Sequence, residues 1–470
     1  MTTVEQRTLL RAATVLTLES GHSDLVPGEV LIEGGRIIAV GEELDPTGAE
    51  LVDLGTDILM PGFIDTHRHT WQAVIRNIAA DWAHGHYMTG IHNGLSQHFR
   101  PQDTYVGNLL GTLEAVNSGI TTLVDWSHNL ATPEHADAAV QALFDSGSRA
   151  VFAHGGGAPQ WRDPPSAVPH PDDAIRVRDA YFKSDEQLVT MAMALRGPQF
   201  TTKEVTLGDF RLARGIGVRI TVHVGDGEWG RSRPIAWLEQ SGLLGDDVTY
   251  VHCNTLADDE LEMIAASGGT ASVAADIELS MGHGWPATGR LLAVGIRPSL
   301  SIDVCTLNGG DMFGAMKATI AAERALRHAA AVAEGRVLEE LRPTTRDVVE
   351  FATIEGARAI GLLGRIGTIT PGKQADLISL STRDPAMFPV NNPFGAIVYS
   401  AHPGVVENVM VDGRWLKRGG QLVNVDLDGI RRAADESRDY LFARARQDPA
   451  IPDARTGGDW FPRPMVAITE

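Results

Sequence analysis

From Leu9 to about Leu54 the apolar positions come in short β-branched runs cut by Gly and Pro: "AATVLTL", "GEVLIEGGRIIAVG" and "AELVDLG". They read as strands, with Glu33-Gly34-Gly35-Arg36 as a hairpin turn, and no helical period of ~10 residues interrupts them. After Gly62 the texture changes. Strand-like runs now alternate with amphipathic helical stretches such as "PEHADAAVQALFDSG" and "LADDELEMIAASG". The runs "GFIDTH", "GITTLVDWSH", "RAVFAHGG", "LVTMAMALRG", "VRITVHVG", "VTYVHCN", "TASVAAD" and "RPSLSIDV" make eight candidate strands. Eight strand-helix units over roughly 300 residues predict an α/β protein with a (β/α)8 TIM-like barrel, although the pattern alone also admits a doubly wound sheet.

Strand texture returns after "TTRDVVEFATIEGARAIGLL", in "GTITPGKQADLISLS", "GAIVYSAH" and "VENVMVDGRWLKRGG". Each terminal β segment has too few strands to stand alone. The expected division is therefore a small β-sandwich built from both termini (1–58 with 367–425), a catalytic barrel (59–366), and a C-terminal helix with a tail (426–470).

Composition narrows the partners. At 470 residues with 43% hydrophobic and 21% charged content the chain buries a large core. A formal net charge of -20 and a pI near 5.2 repel phosphate backbones and anionic lipid, so neither nucleic acid nor a membrane surface is expected as a partner. The start "MTTVEQRTLLRAATVLTLES" lacks a basic segment followed by a continuous apolar core, and no stretch reaches the ~18 apolar residues of a membrane span. A cytoplasmic protein is expected. Cys253 and Cys305 are too few for a disulfide framework, which fits a reducing compartment.

The candidate chemistry lies at the strand ends. His67 and His69 close the first candidate strand, His128 the second, His154 the third, His223 the fifth, His252 the sixth and Asp303 the eighth. In a parallel barrel these ends converge on one face, where active sites of this architecture sit. His67 and His69 are two apart, so on extended chain both point the same way. A lone His-x-His is ordinary, but strands one, five, six and eight together supply the imidazoles and carboxylate of a catalytic zinc or iron centre. "LVTMAMALRG" on the fourth strand offers no Lys or Glu to bridge two ions, so one metal is expected. Trp71, Trp82 and Trp126 lie near the expected mouth, where core packing or stacking on a flat ring would each employ them. Gln72, His128 and His154 join them as candidate substrate contacts. The loop "ADWAHGHYMTGIHNGLSQHF" adds His84, His86, His92 and His98 as lid or substrate contacts. Alternation from Asp303 puts Cys305 on the pocket side, and Cys253 toward the helices.

"LMPGFIDTHRH", "VRITVHVGD", "TYVHCNTL", "SLSIDV" and "ATIEGARAIGL...IGTITPGKQADLISL" resemble the amidohydrolase superfamily over nearly the whole chain, within it the branch of cytosine and guanine deaminases and triazine hydrolases (chlorohydrolases). The resemblance implies one divalent metal per subunit, zinc first with iron or manganese as alternatives, held by His67, His69, His223 and Asp303. It implies that His252 contacts the activated water or the attacked group, that Asp303 accepts the water proton, and that the subunits form a homo-oligomer. The branch usually has His-x-x-Glu after strand five, the Glu being the proton shuttle; this chain reads His223-Val224-Gly225-Asp226, making Asp226 the shuttle candidate and Glu228 a fallback. It also replaces the usual Pro-x-Ser-Asn with "ADIELSMGHG", which directs Glu278 and His283 toward the pocket. The implied activity is hydrolytic deamination at a C-N bond of a planar nitrogen heterocycle. Dechlorination, ester, lactone or amide hydrolysis, or non-catalytic ring binding are the alternatives.

Overall fold

The computed structural model describes residues 7–19, 23–157 and 164–447, without the side chains of residues 228 and 229. Eight parallel strands run in sequence order: Phe63–Arg68, Ile120–Ser127, Arg149–His154, Val189–Leu195, Arg219–Val224, Val248–His252, Thr270–Val273 and Ser299–Leu300. Each pairs with the next. The seam between last and first is closed by a parallel bridge of Arg68 to Asp303, with the Asp303 N–H on the His67 carbonyl (2.9 Å) and the His69 N–H on the Asp303 carbonyl (2.8 Å). This is a (β/α)8 barrel, and its strands are the eight runs expected. Two are shorter than their runs: "TASVAAD" is extended only to Val273 because the helix Ala275–Met281 starts at once, and "RPSLSIDV" only over Ser299–Leu300.

Period-2 alternation builds the layers. Leu123, Phe152, Met193, Leu195, Ile220, Val222 and Tyr250 point outward into a cluster with helix residues Ala139, Leu143, Phe210 and Ile264. Their neighbours Val124, Trp126, Val151, Ala153, Ala192 and Ala194 fill the barrel interior. The helix Asp258–Ser267 illustrates the punctuation: Asp258, Asp259 and Glu260 occupy its first turn, and Gly268 ends it at φ 77°.

The terminal segments form two further sheets. One has four strands in the order Arg36–Gly41, Gly28–Glu33, Arg7–Ala12, Glu50–Asp53; the other has six, in the order Gln421–Leu422, Arg414–Arg418, Val406–Val411, Leu377–Leu380, Ile58–Pro61, Thr14–Val15. Ile58–Pro61 pairs antiparallel with Leu377–Leu380, so each terminus completes the other's sheet. Leu10, Val30 and Ile37 from one sheet and Leu59, Leu377 and Met410 from the other share one apolar cluster. A buried ion pair, Arg149 to Asp376, ties the third barrel strand to this layer. The C-terminal helix Leu427–Gln447 lays Leu441 and Ala445 against Trp71, Val74 and Phe99 beside the barrel mouth, and Tyr440 stacks under Arg100 at 3.6 Å. Among the described residues no helix is long and apolar enough to cross a membrane.

Candidate metal centre and pocket

His67 ends the first strand pointing inward, and His69 follows at the entrance to the short turn Thr70–Ile75. Arg68 between them points away, to Glu114 at 2.6 Å and Asp65 at 3.5 Å. His223 shares the inward parity of Thr221 on strand five. His252 does not share that logic. Tyr250 lies in the outer layer, and strict alternation would send His252 after it; a left-handed φ of 78° at His252, followed by 60° at Cys253, turns the imidazole back to the mouth. Asp303 is likewise left-handed, at φ 62°. Such conformations cost a non-glycine residue about 1 kcal/mol or more and cluster at functional sites.

The result is one buried cluster. Asp303 Oδ1 lies 3.4 Å from His67 Nε2 and 3.3 Å from His69 Nε2, Asp303 Oδ2 lies 3.8 Å from His252 Nε2, and the Nε2 atoms of His67 and His223 are 3.2 Å apart. The His69 Nδ1 is 3.1 Å from the Trp126 carbonyl, so it donates there and leaves Nε2 as the free lone pair. Burial lowers His67 to about 4 and holds His223 well below the usual range, so both rings are neutral at physiological pH. Burial would raise Asp303, but the imidazoles of His67 and His69 beside it hold it well below the ordinary carboxylate value. A buried carboxylate beside imidazole nitrogens is the donor set that a divalent cation takes. His67, His69 and Asp303 have ligand atoms within 4.8 Å of one another, as do His67, His223 and His252, and imidazole-carboxylate groups of this kind suit a divalent ion of the zinc type.

Above the cluster opens a pocket lined by His84, Tyr87, Met88, Phe200 and Met281. Asp226 stands on its wall, buried, with its Oδ1 taking a short hydrogen bond from Gln199 Nε2, while Gln199 Oε1 accepts the Gly225 N–H at 2.9 Å. His84 Nε2 is 4.0 Å from Asp226 Oδ2. His283 packs edge-on to His252 (4.8 Å) and to His84 (4.6 Å), and burial lowers it to about 3. His128 also lines the pocket, stacked on His69 at 4.1 Å; its Nδ1 accepts the Trp71 indole N–H at 3.1 Å, so its proton sits on Nε2, 3.3 Å from His92 Nε2. Of the loop histidines, His84 and His92 reach the pocket, and His86 and His98 do not line it.

Other expected contacts fall elsewhere. Trp71 and Trp82 are core residues beneath the C-terminal helix, and Gln72 is buried with its amide on the Tyr87 hydroxyl at 2.6 Å. Trp126 lies inside the barrel against His223 (ring centroids 4.2 Å), buttressing the cluster from within. His154 has the outward parity of Phe152 and pairs with His170 at 2.9 Å, away from the pocket. Cys305 does not follow Asp303 either: the left-handed turn breaks the alternation, Val304 takes the pocket wall, and burial, helped by the charge of Glu114 and opposed by Arg68, raises the Cys305 thiol to about 11. Glu278 lies behind His252 rather than on the wall, its Oε1 3.2 Å from His252 Nδ1. Burial would lower His252, but that hydrogen bond and the charge of Asp303 raise it to about 9. The side chain of Glu228 lies outside the described residues. Gln199, Tyr87 and Phe200 are pocket or supporting residues that sequence reasoning passed over; Gln199 follows the fourth strand, where the strand-end rule applied to His67 or Asp303 would have found it.

The profile described as "Amidohydrolase family" matches residues 58–416. A 5-methylthioadenosine/S-adenosylhomocysteine deaminase of Desulfitobacterium hafniense is 27% identical over 445 residues, covering 91% of this chain and 97% of the relative. A 5'-deoxyadenosine deaminase of Methanothermobacter thermautotrophicus is 30% identical over 416 residues, covering 84% and 90%. Among solved structures, an adenosine deaminase from Xanthomonas campestris with bound zinc superposes with a TM-score of 0.77 at 22% identity, over 93% of this chain and 98% of that one. An atrazine chlorohydrolase from Arthrobacter aurescens, also complexed with zinc, gives 0.79 at 20% identity, over 92% and 100%.

Proposed function

Since the chain belongs to the amidohydrolase family, we propose that it is a metal-dependent hydrolytic deaminase that releases ammonia from an amino-substituted, planar nitrogen heterocycle. The observation that carries this reading is the convergence of His67, His69, His223 and Asp303 beneath a pocket walled by Asp226 and His252. These four would hold one divalent ion, zinc first, with iron or manganese as alternatives. Such an ion lowers the pKa of a water toward ~7 and so supplies a nucleophile at neutral pH.

The chain's own groups divide the remaining work. Asp303 offers Oδ2, the oxygen on the His252 side, to the proton that leaves the attacking water. His252 hydrogen-bonds the carbon's developing oxygen substituent. Asp226 protonates the departing amine, and Gln199 fixes where that carboxyl points. Overall the ring C–NH2 bond and a water are exchanged for C=O and ammonia. His84, His92, His128 and His283 give the wall many hydrogen-bonding edges, and Tyr87 and Phe200 supply apolar faces for a flat ring. The relatives named for methylthioadenosine, S-adenosylhomocysteine and 5'-deoxyadenosine favour an aminopurine nucleoside as the substrate class. We take the enzyme as a cytoplasmic homo-oligomer whose barrel (59–366) is carried on a sandwich of both termini; its two free thiols fit that compartment.

The test is metal analysis coupled to an ammonia-release screen over adenine nucleosides, other purines, pterins, pyrimidines and triazines. A stoichiometrically metallated protein should release ammonia from at least one aminated ring. Chloride release without ammonia, or no turnover across the panel, would overturn the proposal.

A further inference from the structure

Behind His252 the chain does something that the pocket itself does not require. The seventh strand stops at Val273 and turns directly into the helix Ala275–Met281, capped by Ala274. One turn in, Glu278 folds back so that its Oε1 accepts the Ala274 N–H at 2.9 Å and lies 3.2 Å from His252 Nδ1. The residue is 1% exposed, and Oε2 has no hydrogen-bond partner among the described residues. As a helix cap alone this is costly, because a Gln folds back onto the N-cap N–H without burying a carboxylate that has one oxygen unsatisfied. The second partner accounts for the expense. An imidazole can carry its proton on either nitrogen and can flip by 180°, and only a fixed partner on one nitrogen decides which edge faces the reaction.

We propose that Glu278 is a positioning residue. It accepts the Nδ1–H of His252, fixes the ring orientation, and so commits the Nε2 edge to the pocket, on the side of Asp303 Oδ2 at 3.8 Å. The proposal rests on the reading of His252 as the group that contacts the attacked substrate. It has the form of a base held by a third group in nucleophilic hydrolases, built here from a helix that starts one residue after its strand ends.

Two substitutions separate orientation from capping. Glu278→Gln keeps an oxygen that accepts both N–H groups, whereas Glu278→Ala removes it. In full-length, metal-loaded protein labelled with 15N-histidine, with the His252 resonances assigned from His252→Gln, wild type and Glu278→Gln should show a protonated Nδ1. In Glu278→Ala the Nδ1–H should lose its hydrogen-bonded shift and exchange rapidly with water. With a substrate from the ammonia screen, kcat of Glu278→Ala should fall ~10–100-fold with KM little changed, the range for loss of a partner that orients a functional histidine; Glu278→Gln should keep most of kcat. The proposal is overturned if a folded Glu278→Ala protein keeps a hydrogen-bonded, slowly exchanging Nδ1–H, if that protein loses only thermal stability, or if Glu278→Gln is as slow as Glu278→Ala. If the Nδ1–H is lost as expected while no protein releases ammonia, positioning stands and the deaminase reading falls.

Discussion

Replacing Asp376 with Asn should strip a buried guanidinium of its nearer counter-charge, leaving only the half-exposed Asp412 at 3.9 Å, and loosen the barrel from the sheet below it. Arg149 begins the third barrel strand, and its Nε and Nη2 donate to Asp376 Oδ2 at 2.7 Å and Oδ1 at 3.1 Å. Asp376 Oδ1 also accepts the Asp412 N–H at 2.9 Å. The exposures of Arg149 and Asp376 are 1% and 4%. Burial would lower the Arg149 pKa, and Asp376 more than restores it. Three charge-assisted hydrogen bonds at about 1.5 kcal/mol each sum to about 4.5 kcal/mol, inside the ~3–5 kcal/mol range for breaking half of a buried pair. Asparagine keeps one acceptor, so Asp376→Asn belongs near ~3 kcal/mol and Asp376→Ala near ~4–5 kcal/mol. Urea unfolding followed by far-UV circular dichroism and tryptophan fluorescence measures this, in a cycle with Arg149→Met, Asp376→Leu and the double variant. The double variant should be more stable than the sum of the singles by about 2 kcal/mol, because it leaves no orphaned charge. A cost below ~1 kcal/mol for Asp376→Asn, or additive singles, would refute the reasoning.

Three further outcomes are expected. Asp303→Asn should abolish turnover and lower bound metal below stoichiometry while the circular dichroism spectrum is retained; near-wild-type turnover in a fully metallated sample contradicts the ligand assignment. Asp226→Asn should lower kcat by ~100-fold or more with little change in KM, as expected for losing a positioned proton donor; a defect confined to KM removes Asp226 from that role. Asp57 is buried at the sheet interface with Ser379 Oγ at 3.2 Å, and burial raises its carboxyl to about 6 from 3.8. The folded state then holds the proton that the unfolded state has lost between about pH 4 and 6, so stability from this group falls as pH rises through that window. Asp57→Asn should therefore stabilise at pH 7.5 and lose that advantage near pH 4; equal effects at both would exclude the charge as the cause.

The barrel was legible because alternation of inside and outside is a two-residue signal, and the helices between strands are long enough to show their own period. Strand-end histidines could be read for the same reason. What was not legible follows from places where the backbone leaves the extended region. Cys305 was expected in the pocket because Asp303 was treated as strand, whereas its φ of 62° hands the wall to Val304. His252 reaches the site only by the same kind of turn. His154 was misplaced although its parity with Phe152 was available, since proximity to a strand end was given more weight than the face. Trp71 and Trp82 belong to the core because the C-terminal helix, more than 300 residues later in sequence, covers them. No local pattern carries that information. Glu278 needed knowledge of a helix that begins one residue after its strand ends.

The seam of the barrel has a meaning for assembly. His67 and Asp303, two of the four candidate ligands, sit on the strands that close the ring, and the backbone bonds joining those strands run through the same two residues. With Asp303 as a ligand, the candidate set would be complete only once the chain beyond the eighth strand reaches the seam. Once bound, the ion would fasten a loop of more than 200 residues, as a cross-link does, at a point where the last strand contributes only two residues of regular pairing. With Asp303 as a ligand, metal retention would report on closure of the barrel, which an assay of secondary structure does not see.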